Sequence, residues 1–368
     1  MTKTIVLTTG GSGGHIFPAQ SVAAELLKRG HKVIFITDHR GSVFQNLPEV
    51  QTYHLLAESV TGRSIFGKAM AALKLWLGAG QAMKLLFKIK PDLVIGFGGY
   101  ASIPTVISAE MMHIPVILHE QNAILGRANR ILAKGAKLVA TSFPTVARIP
   151  SRVPSIHVGQ PVRSAILEKA DSPYPTHEDF NILIFGGSQG ARFLSKQLPL
   201  ALMKLSSQER ARITLIQQAR PEDEEALRET YKEANFKSLI IQPFFQNMPE
   251  LLTDANLVIG RGGAGTLTEV MVVGRPAIII PLPSAADDHQ TANAKVLESV
   301  GGAWLIQEKD FDADALCEKL REFIRDPAVL VAAAQKAHGV AILNAAERVA
   351  DIAEDMMKGV KNDSKTSL

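Results

Sequence analysis

A chain of 368 residues exceeds one ordinary hydrophobic core and suits two domains. Its 46% hydrophobic and 21% charged residues exclude a disordered chain; a formal charge of +4 is too small and dispersed for nucleic acid, but suits anionic substrates or an anionic membrane surface. The single cysteine, Cys317, excludes an internal disulfide and a multi-cysteine metal site, and points to a reducing compartment.

Met1-Thr2-Lys3 leads directly into an apolar strand pattern, so no secretory leader is expected. No charge-free apolar run reaches the ~18 residues of a membrane span, so any membrane contact is expected to be peripheral. Short runs rich in Val, Ile and Leu then recur, as in strands buried on both faces of a parallel sheet. In chain order they fall at 4–7, 32–36, 93–95, 116–118 and 137–140, then at 182–185, 213–216, 239–241, 257–259 and 277–280. Helical patterns separate most of them, which predicts β-α-β alternation in both halves.

The halves echo each other. Thr4-Ile-Val-Leu-Thr-Thr-Gly-Gly-Ser-Gly-Gly14 is similar to Asn181-Ile-Leu-Ile-Phe-Gly-Gly-Ser-Gln-Gly190. Asp92-Leu-Val-Ile-Gly-Phe-Gly-Gly99 matches Asn256-Leu-Val-Ile-Gly-Arg-Gly-Gly263, and Ile114-Pro-Val-Ile-Leu118 matches Arg275-Pro-Ala-Ile-Ile279. Three echoes in one order predict two similar α/β domains facing across a cleft. Pro and Gly cluster over 144–175, which places a junction near Gly159-Gln160-Pro161. The expected domains are 1–162 and 163–343, with a last helix at 344–358 packing back on the first and a disordered tail at 359–368.

Gly10-Gly-Ser-Gly-Gly-His15 follows the first strand and precedes a helix. Glycines let backbone approach a ligand closely, and the helix start offers unpaired N–H groups with partial positive charge, a combination suited to phosphate. Gly96-Phe-Gly-Gly-Tyr100, Gly186-Gly-Ser-Gln-Gly190 and Gly260-Arg-Gly-Gly-Ala-Gly265 repeat the arrangement. Each alone could be a tight βα turn; four at the carboxyl ends of parallel strands point to a ligand. A dinucleotide fingerprint starting at Gly11 requires glycine at position 16, which is Ile16, although Asp38 lies where a ribose-binding acid could be. No Gly-Lys-Ser/Thr follows any loop, which disfavours a P-loop.

With His119-Glu-Gln-Asn122, Pro161-Val-Arg163, the Gly263–Glu269 helix start and Asp288-His-Gln290 followed by Asn293-Ala294, these motifs span nearly the whole chain. The set resembles the peptidoglycan N-acetylglucosaminyltransferase (MurG) family. The resemblance implies an α/β GT-B fold, a UDP-N-acetylglucosamine donor and a lipid I acceptor, undecaprenyl-diphosphate-linked muramyl-pentapeptide. It implies transfer to the muramyl 4-hydroxyl with inversion, giving lipid II, at the cytoplasmic face of a bacterial membrane, alongside other cell-wall synthesis proteins. Three departures are visible: Gln160 stands where Asn is usual, Gly262 replaces Ser or Ala, and the loop at 283–287 is about one residue longer.

The resemblance assigns Arg163 and Ser188 to the donor diphosphate, Glu269 to the uridine ribose, Phe245 to the uracil, and His289 and Gln290 to the sugar hydroxyls. Ala264 and Thr266 join the donor set; Ser12, Gly13, Gly14 and Asn122 approach the donor from the first half. Gly13, Gly14, Gly99 and Tyr100 are expected at the acceptor. An arginine fork suits a diphosphate, and an acid early in a helix is also stabilised by the dipole without any ligand. Asp287 and Asp288 are adjacent and in an extended segment would diverge, so neither metal nor cofactor is expected, Arg163 and helix N-termini stabilising the leaving group. A base is needed for the acceptor hydroxyl. His15, His119 and Glu120 are the candidates, with His15 first because imidazole exchanges protons near neutral pH.

The segment 68–90 is unusually apolar for a helix, with Lys74, Gln81, Lys84 and Lys88 on one stripe. It is either buried in the first domain or docked on an anionic bilayer through Ile65, Phe66, Lys68, Leu75 and Trp76. Another GT-B transferase, a hydrolysing epimerase of similar fold and a non-catalytic nucleotide-sugar binder remain as alternatives.

Overall fold

The computed structural model describes residues 1–10, 13–38, 47–57, 65–176, 179–186 and 192–363, with side chains except at 65, 66, 68, 69, 72 and 360–363. The chain divides into two compact units, 1–163 with 342–368, and 164–341.

The first unit runs β1 (Thr4–Thr8), α1 (Gly13–Lys28), β2 (Lys32–Thr37), β3 (Gln51–His54), α2 (Ile65–Ile89), β4 (Leu93–Gly96), α3 (Ser102–Met111), β5 (Val116–Glu120), α4 (Arg127–Leu132), β6 (Leu138–Thr141) and β7 (Ser155–His157). The second holds α5 (Ser164–Leu167), β8 (Phe180–Phe185), α6 (Arg192–Leu202), α7 (Ser207–Arg210), β9 (Ile213–Gln218), α8 (Pro221–Tyr231), β10 (Ser238–Gln242), α9 (Met248–Asp254), β11 (Leu257–Gly260), α10 (Ala264–Val273), β12 (Ala277–Ile279), α11 (His289–Ser299), β13 (Ala303–Leu305), α12 (Ala313–Arg325) and α13 (Ala328–Gly339). Helix α14 (Ala345–Asp363) returns to the first unit.

Both sheets are wholly parallel, ordered β3-β2-β1-β4-β5-β6-β7 and β10-β9-β8-β11-β12-β13. Strand side chains alternate between faces, so β1 sends Ile5 and Leu7 under α1 and α14 and Val6 toward α2 and α3. In the second unit Ile182 and Ile184 of β8 pack with Leu194 and Leu198 of α6 and Leu320 and Phe323 of α12. The strand order reverses between β1 and β4 in one sheet and between β8 and β11 in the other, and such switch points open a crevice at the carboxyl ends of strands.

Three strands lie beyond the apolar runs: β3 and β7 are edge strands whose residues are largely exposed or half-buried, and β13 is a three-residue edge. Strand β7 and helix α5 also fall inside the stretch expected to be linker. The terminal helix extends past the expected end, through Asp363. Val349, Ala350, Ala353 and Met357 bury its apolar side, while Arg29 bonds Asp351 at 2.6 Å and His31 bonds Glu354 at 2.9 Å.

Candidate active site

At the first switch point the β1–α1 and β4–α3 loops touch. The Gly10 amide donates to the Gly98 carbonyl at 3.0 Å. Gly98 and Gly99 adopt φ of +83° and +76°, and a Cβ on Gly99 would lie 2.9 Å from the Gly10 Cα. Only glycine combines that backbone with that approach. The half-buried His15, in the first turn of α1, lies over this turn: a Cβ on Gly98 would meet its Cε1 at 3.5 Å. Gly13 and Gly14 open the helix, with Gly14 facing open space. Ser12 lies outside the described residues.

His15 does not stand alone. Its Nδ1 lies 2.9 Å from Gln121 Oε1. The Gln121 Nε2 reaches the Phe97 carbonyl at 3.0 Å and His119 Nδ1 at 3.1 Å, and His119 Nε2 reaches the Gly159 carbonyl at 3.2 Å. His119 is fully buried, and desolvation lowers its pKa to about 4, against the Gly159 hydrogen bond that raises it. It is therefore neutral at neutral pH and both its nitrogens are engaged.

Glu120, the next candidate, is 1% exposed. Its Oε1 accepts from Asn122 N at 2.9 Å and Asn122 Nδ2 at 3.1 Å; its Oε2 accepts from Gly126 N at 2.8 Å and Asn129 Nδ2 at 2.9 Å. Four donors occupy this carboxylate, a geometry that holds the β5–α4 loop. Tyr100 is half-buried against the α2–α3 core. Arg163 ends the unit with its guanidinium 4.9 Å above the Phe17 ring, and Phe17 lies against the Gly13 position. The stack puts a fixed cation beside the start of α1, where anions are already favoured. Asp38, the acid a dinucleotide reading needs, is buried at the end of β2.

In the second unit Ser188 lies outside the described residues. Helix α10 begins at Ala264 after Gly263, so Thr266 lies in its first turn and Glu269 in its second. The dipole effect fades beyond the first turn, which corrects the expectation that it stabilises Glu269. Asp287 and Asp288 are also not extended: both have φ of +55°, in the left-handed region, at the entry to α11. His289 Nδ1 donates to the Ala286 carbonyl at 2.7 Å, which leaves Nε2 as the acceptor in the neutral ring. Gln290 Oε1 accepts from Leu282 N at 2.9 Å, which fixes the orientation of its amide. Phe245 is only 5% exposed, whereas Phe244 is 66% exposed; a uracil contact at Phe245 would use its backbone.

Gly262, one of the positions where the resemblance breaks, lies against the start of α11. A Cβ on Gly262 would lie 2.3 Å from the Gln290 carbonyl oxygen, and the Gly262 carbonyl accepts from Asn293 Nδ2 at 3.0 Å. The start of α11 thus lies against Gly262 so closely that a side chain there would clash with backbone. Gly262→Ala should destabilise the protein by about 1–3 kcal/mol through overpacking and raise KM for the donor, read by thermal unfolding and initial rates. An unaltered Tm and KM would show that α11 yields freely.

Gln121, Asn129 and Phe17 had no role assigned from sequence. Gln121 was legible only as part of His119-Glu-Gln-Asn122; Asn129 and Phe17 carry no motif and are recruited by packing.

Residues 5–141 match the glycosyltransferase family 28 N-terminal domain and residues 181–356 the glycosyltransferase family 28 C-terminal domain. The UDP-N-acetylglucosamine–N-acetylmuramyl-(pentapeptide) pyrophosphoryl-undecaprenol N-acetylglucosamine transferase of Rhodospirillum rubrum is 47% identical over 353 residues, covering 95% of this chain and 90% of that one. The protein of the same name from Rhodospirillum centenum is 43% identical, covering 94% and 93%. The chain belongs to the MurG family. The crystal structure of Acinetobacter baumannii MurG superposes with a TM-score of 0.79 at 32% identity, over 96% of this chain and 99% of that chain. The GT-B fold and glycosyltransferase activity follow for this MurG-family chain, and the dinucleotide, epimerase and non-catalytic readings fall away.

Proposed function

We propose that this enzyme transfers N-acetylglucosamine from UDP-N-acetylglucosamine to lipid I, giving lipid II and UDP. Identity to transferases of that name over nearly the full chain carries the reading, and the His15 constellation supplies a base. Donor recognition falls to the second unit. Glu269 accepts from the uridine ribose hydroxyls, Ala264, Thr266 and the Phe245 backbone frame the nucleoside, and His289 and Gln290 meet the sugar. Ser188 and Arg163 hold the diphosphate. Gly13, Gly14, Gly99 and Tyr100 line the acceptor, and Asn122 and Ser12 approach the donor.

In the reaction the muramyl hydroxyl attacks the anomeric carbon from the face opposite UDP, which inverts that centre. His15 takes the hydroxyl proton, while Arg163 and helix N-termini stabilise the departing diphosphate. Radiolabelled donor offered with lipid I, with a soluble sugar, or with no acceptor tests this. Turnover with lipid I alone, unchanged in EDTA, is expected; UDP release without acceptor, or activity lost in EDTA and restored by Mg²⁺, would overturn it.

A lipid acceptor requires a membrane-facing surface. Among the described residues no helix is long and apolar enough to cross a membrane. Helix α2 buries Ala71, Gly78, Ala82 and Leu86, and turns Leu73, Trp76 and Phe87 outward, Trp76 at 75% and Phe87 at 69% exposure. Gln81, Lys84 and Lys88 are exposed beside them, while Lys74 and Leu75 are half-buried. The side chains of Ile65, Phe66 and Lys68 lie outside the described residues. We assign this face to a peripheral contact with the cytoplasmic leaflet, rings entering the interface and lysines meeting phosphates. The protein should float with anionic liposomes and Trp76→Ala should weaken that; equal flotation with neutral lipid would count against the electrostatic part.

A further inference from the structure

The hydrogen bonds around His15 form one chain whose direction is set at both ends by groups that can only accept. The Phe97 and His119 carbonyls lie 3.0 and 3.3 Å from Gln121 Nε2. A carbonyl oxygen accepts and never donates, so the amide must turn its NH₂ toward them and its oxygen toward His15. At the far end the Gly159 carbonyl requires a hydrogen on His119 Nε2. That leaves His119 Nδ1 bare, able to accept from the same Gln121 NH₂ at 3.1 Å. Every member then has a consistent role, the two Nε2 hydrogens being shared among the Phe97 carbonyl, the His119 carbonyl and His119 Nδ1, and Gln121 Oε1, 2.9 Å from His15 Nδ1, can only be an acceptor.

We propose that Gln121 is a positioning residue that fixes the tautomer of His15, placing the ring hydrogen on Nδ1 and keeping the Nε2 lone pair for the acceptor proton. This rests on the reading of His15 as the base. Gln121 and His119 are both buried, so water cannot reorganise the chain. The depressed basicity of His119 keeps its Nδ1 an acceptor at working pH. The Gly159 anchor is held in turn: its φ is +82°, and a Cβ there would lie 2.6 Å from Ile342 Cβ, where the chain re-enters the first unit.

As the muramyl oxygen bonds to the anomeric carbon, the bond from that carbon to the UDP oxygen breaks and its electron pair leaves with the diphosphate. The hydroxyl proton moves to His15 Nε2, and the imidazolium keeps donating from Nδ1 to Gln121 Oε1. A neutral amide cannot take that proton onward, so His15 holds it until it returns to solvent. The opposite tautomer would present a hydrogen, not a lone pair, to the hydroxyl; a wrong tautomer costs a histidine base up to about 10⁴-fold in the serine-protease triad.

Nitrogen-edited imidazole spectra of the full-length protein test this directly, with His15 assigned through His15→Ala. In the wild type, neutral His15 should carry its hydrogen on Nδ1. Gln121→Leu should move the population toward Nε2–H and lower kcat roughly 10²-fold or more, with little change in donor KM. Gln121→Glu keeps an acceptor toward His15, and should retain the tautomer and move the acid limb of the kcat/KM profile upward. Wild-type His15 with its hydrogen on Nε2, or Gln121→Leu with unchanged tautomer and kcat, overturns the proposal. Should neither variant fold, the wild-type tautomer decides alone. A wild-type Nδ1–H tautomer combined with near-normal kcat in His15→Ala overturns the base reading and leaves the tautomer assignment standing.

Discussion

His15→Ala lowers kcat by roughly 10²–10⁴-fold, the range for loss of a general base, with little change in KM for UDP-N-acetylglucosamine. The split follows from where the contacts are proposed: the residues assigned above to the nucleotide belong mainly to the second unit, and His15 opens α1 in the first. The ring is half-buried over the Gly98–Gly99 turn, so its removal leaves the fold largely intact and Tm close to that of the parent. Single-turnover rates with lipid I isolate the chemical step. A loss of kcat smaller than about tenfold would remove His15 from the base role.

Glu120→Ala is expected to act differently, through stability. Its carboxylate is the shared acceptor for two backbone amides and two asparagine side chains, all within 3.1 Å. Removing it takes the carboxylate from four donors at once, although Asn129 Nδ2 keeps the His119 carbonyl at 3.2 Å. A hydrogen bond to a charged group contributes about 1.5–3 kcal/mol and the four are coupled, so a total loss of at least about 3 kcal/mol is expected. Urea unfolding measures it. Activity falls as well, because the released loop directly follows Gln121. Full stability with abolished kcat would contradict this account and return Glu120 to the chemistry.

How much of this was legible beforehand depends on which physical signal each residue carries. Continuous Val, Ile and Leu runs marked the central strands because both faces of a parallel strand are buried. The same rule missed β3 and β7, since edge strands such as Gln51–His54 and Ser155–His157 need no apolar run. Glycine spacing located the loops at both switch points, and the motif set named the family. Spacing could not say which side chains face a substrate. Neighbouring strand residues point to opposite faces, yet His119, Glu120 and Gln121 are all buried. Only the fold shows that His119 and Glu120 turn into the protein with their polar atoms engaged. Phe245 likewise lies in a recognisable motif, and its burial beside exposed Phe244 depends on packing that the linear order does not carry.

The amino-acid order alone settled the βα alternation, the glycine turns and the chemical class, because backbone freedom and strand burial are properties of residue type and spacing. The tertiary structure decided the hydrogen-bond directions: the chain from Gly159 through His119 and Gln121 to His15 joins three segments distant in sequence. Carbonyls that can only accept fix where each hydrogen sits, and those carbonyls meet the side chains only after folding.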